Sequence, residues 1–120
     1  MTEKKVSPTV FGIKNCDTMK KAMTWLSDNG IAYEFVDYKK AGVAADHLAD
    51  WNARAGWQKL LNTRGLMWKK LSDEQRAAVD EAKALKLMSE YPALIKRPVL
   101  DTGSALLVGF TPESYAEQFK

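Results

Sequence analysis

Cys16 is the residue of this sequence whose type and position could do chemistry, and it is the only cysteine among the 120 residues. It lies in the segment VFGIKNCDTMKKA. A thiolate attacks disulfides and other oxidised sulfur and becomes bonded to the sulfur that it attacks. Because the chain has no second cysteine, only an external thiol could release a group trapped on Cys16. The alternative is an inert packed residue, since free cysteine is among the most buried residue types.

The elements predicted around Cys16 are those that activate a thiol. Residues 9–13, TVFGI, form a short apolar run that predicts a buried strand. A helix is predicted to follow, with Asn15 as its N-cap and an apolar face that recurs at helical spacing. The free N–H groups at the start of a helix carry partial positive charge, so they stabilise a thiolate and lower its pKa.

Charged side chains near Cys16 act in both directions. Lys14, Lys20 and Lys21 add positive charge that favours the thiolate, whereas Asp17 opposes it. In open α/β sheets, binding sites lie at the carboxyl ends of the strands, where Cys16 falls. Position alone therefore leaves both the nucleophile and the inert residue open.

The sequence after the first helix predicts the elements that would hold this site. Residues 31–38 alternate as a strand, so the first third reads strand–helix–strand and predicts a parallel right-handed βαβ unit. Residues 43–95 are predicted to be helical, with a break near residues 64–65. A capping box at Ser72 and Gln75 marks one helix start within that block.

The last part of the sequence returns to strands. Two apolar runs flank residues 101–104 as a predicted hairpin, and a final helix is predicted to begin at Thr111 and Pro112. The predicted fold class is α/β, a thioredoxin-like fold (βαβ … ββα, four-stranded mixed sheet) with an inserted helical subdomain. We expect residues 1–120 to form a single domain.

Composition excludes several classes of function. The formal net charge of +3 is mild, and the basic residues are spread along the chain, so we expect no nucleic-acid partner. No apolar run approaches the ~20 residues of a membrane span, and we expect no membrane partner and a cytoplasmic location. One cysteine and one histidine cannot supply a tetrahedral metal site, so no metal is expected, and His47 is predicted to be a surface residue.

Arg97 and Pro98 form a second feature, immediately before a predicted strand in LIKRPVLD. A proline is tolerated at the start of a strand because its missing N–H costs little there. With this element order, the position is where thioredoxin folds place a cis-proline beside the cysteine. The alternative is an ordinary trans proline at the edge of the sheet.

Five segments together resemble one known family. GIKNCDTMKKA, LLNTRG, LSDEQ, YPALIKRPVLD and GFTPESY cover most of the chain, and they resemble the arsenate reductase-related (ArsC/Spx-like) proteins, most closely the small YffB-like branch. The resemblance implies a thioredoxin-like fold with a helical insertion. It also implies that Cys16 is the reactive thiol, that Arg64 and Arg97 are site arginines, and that Pro98 is cis.

The sequence departs from the family pattern at three places. Arsenate reductases of this type carry a histidine where this chain has Gly12, and they carry a third arginine where LLVGFT has none. Fewer charged groups for an oxyanion argue against arsenate as the substrate. Spx-like regulators often carry Cys-x-x-Cys, whereas the second position here is Met19, so an internal disulfide switch is impossible.

We expect a glutathione-dependent thiol–disulfide reductase. Glutathione, as the co-substrate, would resolve the oxidised Cys16, and its two carboxylates match two guanidinium groups. The expected protein is a monomer that acts on glutathione or a small anionic thiol or disulfide. Two alternatives stay open: a regulatory module that binds a protein partner such as RNA polymerase, and an arsenate reductase. The candidate residues are Cys16 as the catalytic nucleophile and, for binding glutathione or substrate, Lys14, Asn15, Arg64, Arg97 and Pro98.

Overall fold

The computed structural model describes residues 8–14, 16–38, 42–43 and 45–119 of the chain. Two compact units are present: unit 1 consists of Met1–Asp37 together with Arg97–Lys120, and unit 2 consists of Tyr38–Lys96. The predicted helical insertion, residues 43–95, falls within unit 2.

Unit 1 contains a four-stranded mixed sheet in the order β2-β1-β3-β4. β1 pairs in parallel with β2, whereas β1–β3 and β3–β4 are antiparallel. The parallel pair confirms the predicted βαβ unit. β2 is shorter than the predicted run of residues 31–38, because it pairs only along the length of β1. The strands are β1 (Thr9–Gly12), β2 (Glu34–Asp37), β3 (Val99–Asp101) and β4 (Leu106–Val108).

The first helix, α1 (Asp17–Asp28), connects β1 to β2. Its buried residues recur at helical spacing and form one cluster with residues of the sheet and of the last helix. The helix ends at Asn29, and Gly30 follows with a φ of 70°, a conformation that glycine adopts without steric cost. The fully buried members of the cluster are Val10, Met19, Ala22, Leu26, Leu100 and Tyr115.

Unit 2 is built mainly from short helices. In it, α2 packs against α3 and α6, and α6 also contacts a short 3₁₀ helix, Pro92–Leu94. Trp51 on α2 is 1% exposed and is the largest fully buried side chain. The helices are α2 (Ala45–Ala55), α3 (Trp57–Leu60), α4 (Leu66–Lys70), α5 (Asp73–Arg76) and α6 (Glu81–Glu90).

The capping box predicted at Ser72 is present, but the helix that it starts is only four residues long. The chain leaves the helix at Ala77, and Ala78 has a positive φ of 49°. A new helix, α6, then begins with Asp80 as its cap. Lys83 ties the two together, since its ammonium donates to the carbonyl of Glu74 at 2.8 Å and also to that of Ala77.

The C-terminal elements agree with the sequence. β3 and β4 form the predicted hairpin, and the last helix, α7 (Pro112–Gln118), begins with a Thr111 cap and proline at its first position. The order of the elements and the mixed sheet confirm the predicted fold class. None of the described helices is both long enough and apolar enough to span a membrane.

Candidate functional site

Cys16 is the N-cap residue of α1. Its backbone is extended (φ −109°, ψ 129°), and its carbonyl oxygen accepts a helical hydrogen bond from the N–H of Lys20 at 3.0 Å. The N-cap is the residue whose carbonyl accepts the first helical hydrogen bond. The prediction that Asn15 caps this helix is therefore wrong by one residue. Asn15 itself lies outside the described residues, so its part in binding stays a prediction. The Cys16 side chain is half-buried.

The surroundings of Cys16 lower the pKa of its thiol below the ordinary value. Partial burial is the largest influence and acts the other way, because it disfavours the charged form. It is outweighed by hydrogen bonding that favours the ionised sulfur, from the N–H of Met19, the side chain of Arg97 and the N–H of Thr18, together with the positive charge of Arg97. A thiolate is therefore easier to form here than on an exposed cysteine.

The two N–H groups belong to the second and third residues of α1. N–H groups at these positions are the ones that donate hydrogen bonds to a capping side chain. The neutral thiol makes no side-chain capping hydrogen bond of the kind that serine or aspartate makes. Sulfur is a weak acceptor until it ionises, so these donors act chiefly on the thiolate. The sequence pointed to the helix terminus but not to Thr18 and Met19, because a cap placed at Asn15 assigns the donors to the wrong residues.

Arg97 reaches the thiol because of the pairing of the sheet. β3 runs antiparallel to β1 with Val99 opposite Phe11, so the chain entering β3 lies beside the chain leaving β1. The Arg97 side chain is half-buried and hydrogen-bonds the Cys16 sulfur. The Arg97–Pro98 peptide bond is cis, which is the isomer that the resemblance implies. The structure thus brings Cys16, Arg97 and Pro98 together within unit 1.

The lysines predicted to support the thiolate are exposed. Lys14 lies in the turn that follows β1, and Lys20 and Lys21 lie on α1. The cationic side chain that hydrogen-bonds the sulfur is Arg97 instead. The resemblance had implied a site role for Arg97, and the pairing of β3 with β1 accounts for its contact with the sulfur. The expected role of Lys14 in binding a substrate stays a prediction.

Two of the departures from the family pattern, Gly12 and Met19, are neighbours in the structure. A Cβ atom placed on Gly12 would overlap the sulfur and the terminal methyl group of Met19. Met19 is completely buried in the core, and its N–H is one of the donors to the Cys16 thiolate. The space that a histidine at position 12 would need at its Cβ is therefore filled by Met19.

Arg64 belongs to unit 2 and lies in the turn between α3 and α4. Its side chain is exposed, and its N–H donates to Oδ1 of Asn62 at 3.0 Å. A Cβ on Gly65 would stand 2.8 Å from Nδ2 of the same asparagine, which favours glycine at this turn. Whether Arg64 assists Cys16 stays a prediction. Arg64 lines a cavity of about 530 Å³ together with Trp57, Gln58, Leu61, Asn62, Thr63 and Lys96.

Over the part of the chain that the structure describes, no three side chains of histidine, cysteine, aspartate or glutamate are grouped so that they could hold a metal ion. His47 is exposed, as predicted, and its ring stacks on Trp51 with the centroids 5.8 Å apart.

Comparison with known proteins finds relatives that match most of the chain. A family model described as the ArsC family matches residues 11–118. The structure of a protein named YFFB is 50% identical, covers 92% of this chain and 97% of its own, and superposes with a TM-score of 0.88. An arsenate reductase (ArsC) related protein from Brucella melitensis is 46% identical over 99% of both chains, with a TM-score of 0.77. The global transcriptional regulator Spx 2 of Lactococcus lactis is 27% identical over 112 residues, 88% of this chain and 80% of the regulator.

Proposed function

The chain belongs to the ArsC family, and we propose that it acts as a glutathione-dependent thiol–disulfide reductase whose nucleophile is Cys16. The observation that carries this proposal is the environment of the thiol. The N–H groups of Met19 and Thr18 and the guanidinium of Arg97 lower the pKa of Cys16 although burial opposes them. A lowered pKa increases the fraction of thiolate at neutral pH, and the thiolate is the reactive species.

The proposed reaction on a glutathionylated thiol has two exchanges. The Cys16 thiolate attacks the glutathione sulfur, the substrate disulfide breaks, and the released substrate thiolate takes up a proton. A second glutathione thiolate then attacks the Cys16–glutathione disulfide. This step yields oxidised glutathione and the free Cys16 thiolate, so in the net reaction one glutathione thiol is consumed, one substrate thiol is released, and the substrate disulfide is exchanged for that of oxidised glutathione. The chain has a single cysteine, so the second exchange needs the external thiol.

Anchoring of glutathione is assigned to the basic residues. In this proposal the guanidinium groups of Arg97 and Arg64 bind the carboxylates of the tripeptide, as planar forks do for carboxylates in general. Lys14 and Asn15 precede Cys16 in sequence and complete the proposed binding set with Pro98.

Reductase activity of the Cys16→Ser variant tests the nucleophile. We expect glutathione-dependent reduction of a glutathionylated peptide to fall to the uncatalysed rate, whereas Ser104→Ala, in the exposed hairpin turn, keeps the wild-type rate. Full activity of Cys16→Ser would refute the proposal. Glutathione dependence is tested by replacing glutathione with 2-mercaptoethanol, which has no carboxylates. Equal turnover with both thiols at matched thiolate concentration would contradict carboxylate recognition.

A second candidate function is a module that binds a protein partner without chemistry, and the relationship to the transcriptional regulator Spx 2 favours it. This function would not need the thiol. Binding of a partner that survives Cys16→Ala, together with a Cys16 pKa at the ordinary value, would support the module over the reductase.

An arsenate reductase is the weaker alternative. Gly12 stands where those enzymes have histidine, and Met19 fills the space beside it. Glutathione-dependent turnover of arsenate by the wild-type protein would revive this alternative.

A further inference from the structure

A groove along α1, the helix that Cys16 caps, is lined mostly by apolar atoms. It lies in unit 1 between α1 and the loop that enters α7, and its volume is about 400 Å³. Its long wall consists of α1 side chains, and its opposite wall consists of Phe110 and Pro112. The α1 residues that line it are Lys20, Lys21, Thr24, Trp25 and Asp28.

The aromatic walls of the groove are held in place by a shared buried neighbour. The rings of Trp25 and Phe110 each meet the ring of Tyr115 edge to face, with centroids 5.6 Å and 4.7 Å apart. Tyr115 is fully buried, and Trp25 also packs on Phe119 at 6.1 Å. The groove is therefore preformed, and an occupant would not bear the entropic cost of ordering its walls.

The basic and the acidic side chains that line the groove lie at opposite ends of it along α1. Lys20 and Lys21 lie at the end nearer to Cys16, and Asp28 lies at the far end. Asp28 lies eight positions after Lys20 on α1, which is a rise of about 12 Å, or about four residues of an extended peptide. Cys16 is one helical turn before Lys20, whose N–H bonds the Cys16 carbonyl.

We propose that this groove docks a segment of a protein substrate in which acidic residues next to an oxidised cysteine are followed by large apolar side chains. The acidic residues pair with Lys20 and Lys21, and the apolar side chains lie on Trp25 and Phe110. A neutral or basic residue then faces Asp28. The inference depends on the proposed function for the oxidised cysteine, and it adds the class of substrate: a protein segment of stated charge rather than a small disulfide alone.

Calorimetric titration of the Cys16→Ser variant tests the docking without any chemistry. The probe is the peptide Ser-Glu-Asp-Leu-Phe-Lys, in which serine replaces the cysteine, and its partner probe is the charge-exchanged Ser-Lys-Lys-Leu-Phe-Glu. We expect the first peptide to bind at least tenfold more tightly than the second and to lose affinity as salt is added. Equal binding of both peptides, or no binding of the first, would overturn the proposal.

Thr24 supplies the matched variant, because it is exposed and lines the groove. Thr24→Glu places a carboxylate among the apolar contacts, and we expect it to weaken binding of the acidic peptide at least tenfold. Ser27→Glu adds the same charge on the same helix outside the groove, and we expect a change below twofold. Equal effects of the two variants would overturn the proposal.

Other outcomes separate this docking surface from its competitors. If a second copy of the chain covers the groove, Thr24→Glu will lower the mass in sedimentation and leave the peptide affinity unchanged, which also overturns the proposal. If the docking proposal is right but the reductase proposal is wrong, the acidic peptide will bind as expected. The wild-type protein will then not reduce the disulfide of the same peptide carrying an oxidised cysteine in place of the serine. If only the docking fails, a small glutathione disulfide is still reduced.

Discussion

At the scale of single residues, the properties of Cys16 come from groups that are distant in sequence as well as adjacent. Burial alone would make this thiol a poor nucleophile, because it raises the pKa. The N–H groups of Thr18 and Met19 come from the helix that Cys16 caps, and Arg97 comes from the entrance to β3. The reactivity of the thiol is thus a balance that single substitutions can shift.

Replacing Arg97 with glutamine should raise the pKa of Cys16. The substitution removes both the side-chain hydrogen bond and the positive charge that favour the thiolate, while burial continues to oppose it. The rate of alkylation by iodoacetamide, followed from pH 5 to 10, should show a midpoint at higher pH than the wild type. Arg76→Gln, which removes a half-buried guanidinium paired with Asp73 in unit 2, is the control and should leave the midpoint unchanged. A midpoint that does not move in Arg97→Gln would show that the helix donors act alone.

The lowered pKa of Cys16 also predicts how stability depends on pH. In the window between the folded pKa and the higher pKa of the unfolded thiol, the unfolded state binds more protons, so stability rises with pH. The contribution is fully present above the unfolded value and is lost as pH falls through the folded value. We therefore expect the unfolding free energy of the wild type to rise relative to Cys16→Ser as pH increases through this window. Urea titrations of both proteins at several pH values measure it, and a difference that is constant with pH would contradict the shift.

At the scale of elements, the junction between β1 and α1 is packed around Gly12 and Met19. The absence of a Cβ on Gly12 leaves room for the end of the Met19 side chain, which is fully buried. Methionine is flexible, but its displaced end would have to find space in a close-packed core. The strand before Cys16 and the helix after it therefore pack against each other at Gly12 and Met19.

Gly12→Ala should destabilise the protein by about 1–3 kcal/mol, the usual cost of overpacking a core. Met19→Ala removes the atoms that the new Cβ would overlap, although it leaves a cavity of its own. The double variant should therefore lose less than the sum of the two single losses. Urea denaturation of the four proteins gives the coupling, and strict additivity would show that the two positions do not interact.

The hydroxyl group of Tyr115 is a second feature of the packing in unit 1. It is buried and has no hydrogen-bond partner among the residues that the structure describes, and burial raises its pKa. Removing an unsatisfied buried hydroxyl is neutral or stabilising, by up to about 1–3 kcal/mol. We expect Tyr115→Phe to unfold at an equal or higher urea concentration than the wild type.

Tyr38→Phe is the matched control for that prediction. The Tyr38 hydroxyl is also buried, but it donates to the carbonyl of Ile95 at 3.3 Å. Its removal leaves that acceptor without this donor and should cost about 1 kcal/mol. A loss of stability in Tyr115→Phe as large as in Tyr38→Phe would mean that the Tyr115 hydroxyl has a favourable partner.

At the scale of the whole molecule, the part of the chain that the structure describes exposes few large apolar side chains. Among the described residues, the exposed large hydrophobic residues are Val36, with a solvent-exposed fraction of 38%, and Leu66, with 75%. Obligate dimers usually bury larger and more continuous apolar areas. We therefore expect sedimentation equilibrium to give a single species near the chain mass of 13.5 kDa at micromolar concentration. A concentration-dependent rise toward twice that mass would contradict the expected monomer.

The sequence alone determined the elements whose signals are local. The apolar run before Cys16, the Ser72 and Thr111 caps and the hairpin around residues 101–104 all appear in the structure. Propensity, capping and turn chemistry act between residues a few positions apart, so such features can be read directly. Together with the resemblance, they indicated the fold class and pointed to Cys16 as the candidate nucleophile.

Tertiary structure decided the features that depend on contacts across the chain. The cap moved from the expected Asn15 to Cys16, and this shift determines which N–H groups face the sulfur. The guanidinium of Arg97 reaches the thiol only because β3 pairs with β1. The spacing of residues in the sequence does not give the distance between strands that pair only in the folded chain. The balance of groups that sets the pKa of the thiol could therefore be derived only from the folded chain.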